Sequence, residues 1–191
     1  MIRFIRRMFL MDAHVCPWWL SSSLTIGLRS RVQNPAALLS PYVTPGDTVA
    51  DIGCGPGFFT LALAELVGAE GRVIAVDIQR PMLDRMMKRA AAAGFDGRIV
   101  PQLAGEKSLG VTGGVDFALA FWMAHEVPDK GAFFAQIAAM LKPGARFLLV
   151  EPKFHVTASK YEKTVVAAVD AGLTLADEPY IWFSRAALFS R

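Results

Sequence analysis

The chain has 191 residues, enough for one domain with a full hydrophobic core and short for two. Its formal net charge is +3, and no lysine- or arginine-rich block appears beyond Arg3, Arg6 and Arg7, which argues against nucleic acid as a partner. Two cysteines, Cys16 and Cys54, are too few for a disulfide framework, and 53% hydrophobic against 19% charged residues points to an apolar pocket, a homodimer face or a membrane-adjacent surface.

The stretch Met1 to Leu10 begins like a secretion signal, but Asp12, His14 and Pro17 interrupt the apolar run that should follow. A span of about twenty apolar residues is missing, so stable membrane insertion is not expected and a reducing cytoplasm is the expected setting. Cys16-Pro17-Trp18-Trp19-Leu20, followed by three serines, reads as a turn and a serine-capped helix. Asn34-Pro35 then opens a short helix over Ala36 to Leu39. Residues 1–40 are thus expected to form a helical lid segment ahead of a domain over 41–191. Three readings of the tryptophan pair stay open: a lid over a cofactor, a clamp on an apolar substrate, or a helix packed on the core.

From Asp47 onward strands and helices alternate. Thr48 to Ile52 is the first expected strand, and it ends in Asp51-Ile52-Gly53-Cys54-Gly55-Pro56-Gly57 before a helix over Phe59 to Leu66. Glycines let a backbone take positive φ and let a ligand approach where a Cβ would intrude. The dinucleotide pattern G-x-G-x-x-G is not met, because it requires glycine where Phe58 or Thr60 stands. Asp51 at the strand end suits a cationic amino-acid group better than a pyrophosphate.

Arg72 to Ile78 holds a short β-branched run, a buried parallel strand by composition, and Asp77 at its end lies twenty positions beyond Gly57. An acid at that interval accepts both ribose hydroxyls in nucleotide-binding βαβ units. A helix over Pro81 to Ala93 follows, then a short strand Arg98 to Pro101, a strand Val115 to Phe121 and a helix Lys130 to Leu141. Lys142-Pro143-Gly144 reads as a turn before a fifth strand, Ala145 to Val150. A helix over 159–171 comes next, and Tyr180 to Phe183 with Ala186 to Phe189 read as a closing hairpin. Such alternation builds a mostly parallel sheet covered on both faces.

The D-x-G-x-G-x-G run resembles the class I S-adenosylmethionine-dependent methyltransferases, and the resemblance covers about residues 40 to 191. It extends to Leu141-Lys142-Pro143-Gly144 before the fifth strand and to Glu151-Pro152 after it. It implies a Rossmann-like, doubly wound seven-stranded sheet with an antiparallel C-terminal strand, and S-adenosylmethionine as cofactor. It implies that Asp51, Gly53 and Gly55 hold the amino-acid part and Asp77 the ribose, with Ile78 and Gly105 bordering the adenine and Phe121 near the methyl donor. The third strand departs from the family, since the acid expected there is replaced by Gln102-Leu103-Ala104-Gly105, with Glu106 one step late.

Ligands of open α/β sheets bind at the carboxyl ends of the strands. His125-Glu126 follows the fourth strand there and Glu151-Pro152-Lys153-Phe154-His155 the fifth. If those strands are neighbours, His125, Glu126, Glu151 and His155 converge. His125 then serves as general base, Glu126 or Glu151 orients it, and His155 binds substrate. A metal site is the weaker reading of the same side chains, because no H-E-x-x-H spacing is present. The expectation is methyl transfer to a small, apolar acceptor without a resident metal. The alternatives are a non-catalytic S-adenosylmethionine-binding sensor or partner subunit, and an NAD-dependent oxidoreductase.

Overall fold

The computed structural model describes residues 34–191. The expectations for the segment before Asn34, including the tryptophan pair, Cys16 and His14, lie outside the described residues. Helix α1 (Pro35–Leu39) starts where Asn34 accepts from the Ala37 N–H with its side chain, and Pro35 occupies its first turn. The chain then runs through β1 (Thr48–Ile52), α2 (Phe58–Leu66), β2 (Arg72–Asp77), α3 (Arg80–Ala92), β3 (Ile99–Leu103) and β4 (Val115–Phe121). Next come α4 (Lys130–Met140), β5 (Leu141–Pro152), α5 (Ala158–Asp170), β6 (Thr174–Asp177) and β7 (Ser184–Ser190).

The seven strands form one sheet in the order β3-β2-β1-β4-β5-β7-β6. The pairs β1·β2, β1·β4, β2·β3 and β4·β5 are parallel, while β7 runs antiparallel to both β5 and β6. This is the expected doubly wound architecture with its reversed C-terminal strand. The order reverses between β1 and β4, which opens a crevice at the carboxyl ends of those strands.

Strand periodicity divides the core. On one face Val49, Val73, Phe117, Leu119 and Leu148 pack against Leu39 of α1, Leu63 of α2 and Met86 of α3. On the other, Ala50, Ala118, Ala120, Phe147 and Phe189 pack against Phe134 and Ile137 of α4 and Ala168 of α5. Alternate residues of β4 therefore serve opposite layers, and the parallel strands read as unbroken apolar runs because both faces are covered.

Two expectations are corrected. The Lys142-Pro143-Gly144 turn lies inside β5, where pairing with β4 jumps from Val115↔Leu141 to Phe117↔Arg146. Gly144, at φ 77°, carries this bulge, and its N–H donates to the Arg191 carbonyl at 3.0 Å. The closing hairpin also differs. β7 pairs with β6, and Tyr180 to Trp182 form part of the connecting loop. All four residues of β6 are exposed, so this edge strand lacks the alternation that marks a half-buried one.

Candidate active site

The glycine turn is built to leave space on one side only. Gly53, Gly55 and Gly57 all have positive φ, at 73°, 52° and 86°. A Cβ on Gly53 would lie 2.7 Å from Met123 Cγ, and one on Gly57 would lie 2.6 Å from Met86 Cγ. Those two glycines make room for the protein itself. A Cβ on Gly55 would meet no atom within 4 Å, so the open side of the turn lies over Gly55. The turn is held from below: the Gly53 and Cys54 N–H groups donate to the Val76 carbonyl at 2.8 and 3.0 Å. Arg89 Nη1, from the last turn of α3, donates to the Pro56 carbonyl at 2.6 Å.

The acids at the two strand ends differ in their surroundings. Asp51 is 2% exposed, and its Oδ2 accepts the Thr60 hydroxyl at 2.6 Å, tying β1 to α2 beneath the turn. Asp77 Oδ2 accepts the Gly55 N–H at 2.9 Å and Oδ1 the Gln79 N–H at 2.8 Å. Burial pushes the Asp77 carboxyl above its ordinary value, and these backbone donors only partly offset the desolvation. With about four lone-pair sites, the carboxylate keeps acceptor capacity beside these donors, the Ile78 N–H included.

Ile78, directly after Asp77, is 49% exposed, and Gly105 closes a tight loop through paired hydrogen bonds with Ser108. They follow the neighbouring strands β2 and β3 at their carboxyl ends, and Glu106 beside Gly105 is exposed. Phe121 is buried under the turn, its ring 4.2 Å from that of Phe59. Cys54 is buried too, and burial with the nearby Asp51 and Asp77 raises its thiol far above the usual range, so the structure makes it inert.

The four chemical side chains of the β4 and β5 ends converge as expected, because β4 and β5 are neighbours. His125 Nδ1 lies 2.6 Å from Glu151 Oε2, and His125 Nε2 lies 4.0 Å from Glu126 Oε1. The His155 ring meets the His125 ring edge-on at 4.8 Å. A carboxylate only accepts, so Glu151 places the hydrogen on Nδ1 and leaves the lone pair on Nε2. Of the two candidate orienting acids, Glu151 fills that role, and it is 1% exposed. Among the described residues no group of three or more His, Cys, Asp or Glu side chains is arranged to hold a metal ion.

Sequence reasoning passed over Met123 above Gly53, the Thr60 partner of Asp51, and Tyr161. The Tyr161 hydroxyl and Glu151 Oε1 are both buried without a hydrogen-bond partner among the described residues. Burial first, then the charges of Glu178 and Glu151, raise the Tyr161 phenol well above its ordinary value. Packing alone brings that helix residue close to Glu151, and no local pattern announces it.

Comparison with known proteins agrees with this geometry. A family model described as a methyltransferase domain matches residues 49–144. The demethylmenaquinone methyltransferase of Symbiobacterium thermophilum is 32% identical over 167 residues, which cover 75% of this chain and 62% of that protein. The ubiquinone/menaquinone biosynthesis C-methyltransferase of Teredinibacter turnerae is 35% identical over 111 residues, 57% of this chain and 44% of that protein. The chain thus aligns with about half to three fifths of the length of these relatives. Among solved structures, a SAM dependent methyltransferase from Aquifex aeolicus superposes with a TM-score of 0.78 at 20% identity, covering 90% of this chain and 95% of that one. With the family model spanning half of the chain over the glycine turn, both strand-end acids and the β4 loop, the chain belongs to the methyltransferase-domain family of class I S-adenosylmethionine-dependent enzymes.

Proposed function

We propose that the protein transfers a methyl group from S-adenosylmethionine to a small, apolar acceptor, with His125 as general base. The observation that carries the base assignment is the 2.6 Å contact between His125 Nδ1 and the buried Glu151 carboxylate, which frees Nε2 for a proton. The open backbone over Gly55 and the acceptor capacity of Asp77 fit the amino-acid part and the ribose of the cofactor, with Asp51 and Gly53 beneath the amino-acid part, Ile78 and Gly105 bordering the adenine and Phe121 near the methyl donor. When bound, the cofactor supplies an electrophilic methyl on a sulfonium, and its thioether is the leaving group.

The protein orients the acceptor and accepts one proton from it, so each turnover leaves one methylated product, one thioether and one proton on Nε2. Glu151 and Glu126 flank the imidazolium that forms, one carboxylate towards each ring nitrogen. His155, exposed and edge-on to His125, is placed to contact the acceptor. Support for an apolar acceptor comes from the quinone-biosynthesis names of the two relatives and from the chain's 53% hydrophobic content.

Calorimetric titration with S-adenosylhomocysteine tests the cofactor half. Micromolar binding that Asp77→Ala abolishes, with no heat from NAD, is the expected result. Binding of NAD alone would overturn the reading.

A further inference from the structure

The mouth of the crevice carries exposed aromatic rings that the cofactor and base do not use. Phe154 is 73% exposed, Trp182 48% and Phe183 57%, in a domain whose other phenylalanines are mostly interior. Phe154 follows β5, Trp122 follows β4, and Trp182 and Phe183 precede β7, so all four lie at the same edge of the sheet. Lys153 N–H donates to the Phe183 carbonyl at 2.9 Å, which joins two of the three loops.

The rings form two side-by-side bridges between the β4 and β5 loops. Trp122 meets Phe154 edge-on at 5.4 Å, and three residues later His125 meets His155 at 4.8 Å. The Trp122–Phe154 contact thus joins the same two loops that carry the proposed base. Trp122 is held firmly, its backbone N–H donating to Val150 at 2.7 Å and its indole N–H to the Ser184 hydroxyl at 3.0 Å. Trp122 and Phe183 are the non-glycine residues of the described chain with positive φ, at 59° and 56°. Left-handed backbone at bulky side chains is strained, and strain of this kind collects where a ligand is held. Here the two strained residues belong to two linked ring pairs, Trp122 with Phe154 and Phe183 with Trp182 at 4.1 Å, joined through the Lys153–Phe183 backbone bond.

We propose that Trp122, Phe154, Trp182 and Phe183 are the acceptor subsite, a wall that receives a flat aromatic ring bearing a hydroxyl group and sets it against His125. This rests on the methyltransferase reading and gives its acceptor a shape. Rigid rings lose little conformational freedom on binding, and ring-on-ring contact rewards flat aromatic partners beyond their apolar area. Continuity with the histidine pair favours a small reactant over a macromolecular partner.

The test uses the full chain saturated with S-adenosylhomocysteine and titrated calorimetrically with 2-naphthol, with cyclohexanol as a non-planar alcohol of low polarity. Expected are binding of 2-naphthol well above that of cyclohexanol, and a loss of about tenfold in Phe154→Ala and in Trp182→Ala. S-adenosylhomocysteine affinity should stay unchanged in both variants. Both side chains are exposed, so neither change should impair folding. Equal affinity for the two alcohols, or variants that bind 2-naphthol as the wild type does, would overturn the subsite while leaving the cofactor reading intact. Failure of the wild type to bind S-adenosylhomocysteine would instead remove the methyltransferase reading, and naphthol titration of the free chain would still decide whether the wall binds rings.

Discussion

The Gly55 N–H donates to Asp77 Oδ2 at 2.9 Å, so the open glycine of the first turn and the acid of the second strand are one structural unit. The contact spans 22 positions of sequence and ties the turn after β1 to the carboxyl end of the neighbouring β2. It orients the Asp77 carboxylate with a backbone donor while leaving lone pairs for a ligand.

The contrast between Gly55 and its neighbour Gly57 gives a first prediction. Alanine at either position takes on a left-handed φ, at a cost of about 1–2 kcal/mol. Gly55→Ala puts its methyl into open space, so it should fold with little further loss yet weaken S-adenosylhomocysteine binding more than tenfold. Gly57→Ala drives its methyl into Met86 and should lower the melting temperature more than Gly55→Ala does. Thermal denaturation and calorimetry on the two variants check this. Equal behaviour of the pair would refute the one-sided geometry.

Burial raises the Asp77 carboxyl above 3.8, its ordinary value. The sign follows from linkage. A raised acid favours the fold below its unfolded value, and that contribution disappears as pH rises through the folded value. Ligand binding has the opposite requirement, since ribose hydroxyls need the ionised carboxylate as acceptor. S-adenosylhomocysteine affinity should therefore fall on acidification, beginning at a higher pH than an exposed aspartate would dictate. Titrations between about pH 4 and 7 should show this slope in the wild type and lose it in Asp77→Asn.

His125, the proposed base, is also the hydrogen-bond partner of the buried Glu151 carboxylate. His125→Ala leaves the Glu151 carboxylate without its partner, which should destabilise the protein by about 3 kcal/mol. Glu151→Gln added to that variant removes the stranded charge and should recover much of the loss, as urea denaturation would show. Methyl transfer, once an acceptor is found, should fall about 10²–10⁴-fold in His125→Ala with unchanged cofactor affinity. Unaltered turnover would remove His125 as the base, whereas no turnover on any acceptor would point to the non-catalytic reading.

Tyr161 carries a buried hydroxyl with no partner among the described residues. Removing an unsatisfied polar group relieves its desolvation, so Tyr161→Phe should be neutral or stabilising by up to about 1 kcal/mol. That corresponds to a rise of about 2–4 °C in melting temperature for a domain of this size. A clear drop would overturn this reading of the hydroxyl.

Most of the scaffold was legible because its signals are local. β1 and β4 are read to the residue from apolar runs bounded by glycine and acid, and α1 from Asn34-Pro35. Tyr180 to Phe183 misled because aromatic composition mimics a strand, whereas those rings stand exposed in a loop. β6 was missed because an edge strand exposed on both faces has no hydrophobic period to detect. The convergence of His125 with Glu151 was open to inference once β4 and β5 were assumed adjacent, but the choice of Glu151 over Glu126 as orienting acid was not.

By itself the sequence determined the glycine turn, its following acid and the alternation that makes a two-layered parallel sheet, since each depends on residues close together in the chain. Only the tertiary structure decided which glycine faces open space, which carboxylate meets His125, and that Trp122 meets Phe154. Those relationships join segments 26 to 62 positions apart, as the His125–Glu151 and Trp122–Ser184 bonds do. They are set by strand order and by how the loops leave the sheet, and neither is encoded in local spacing.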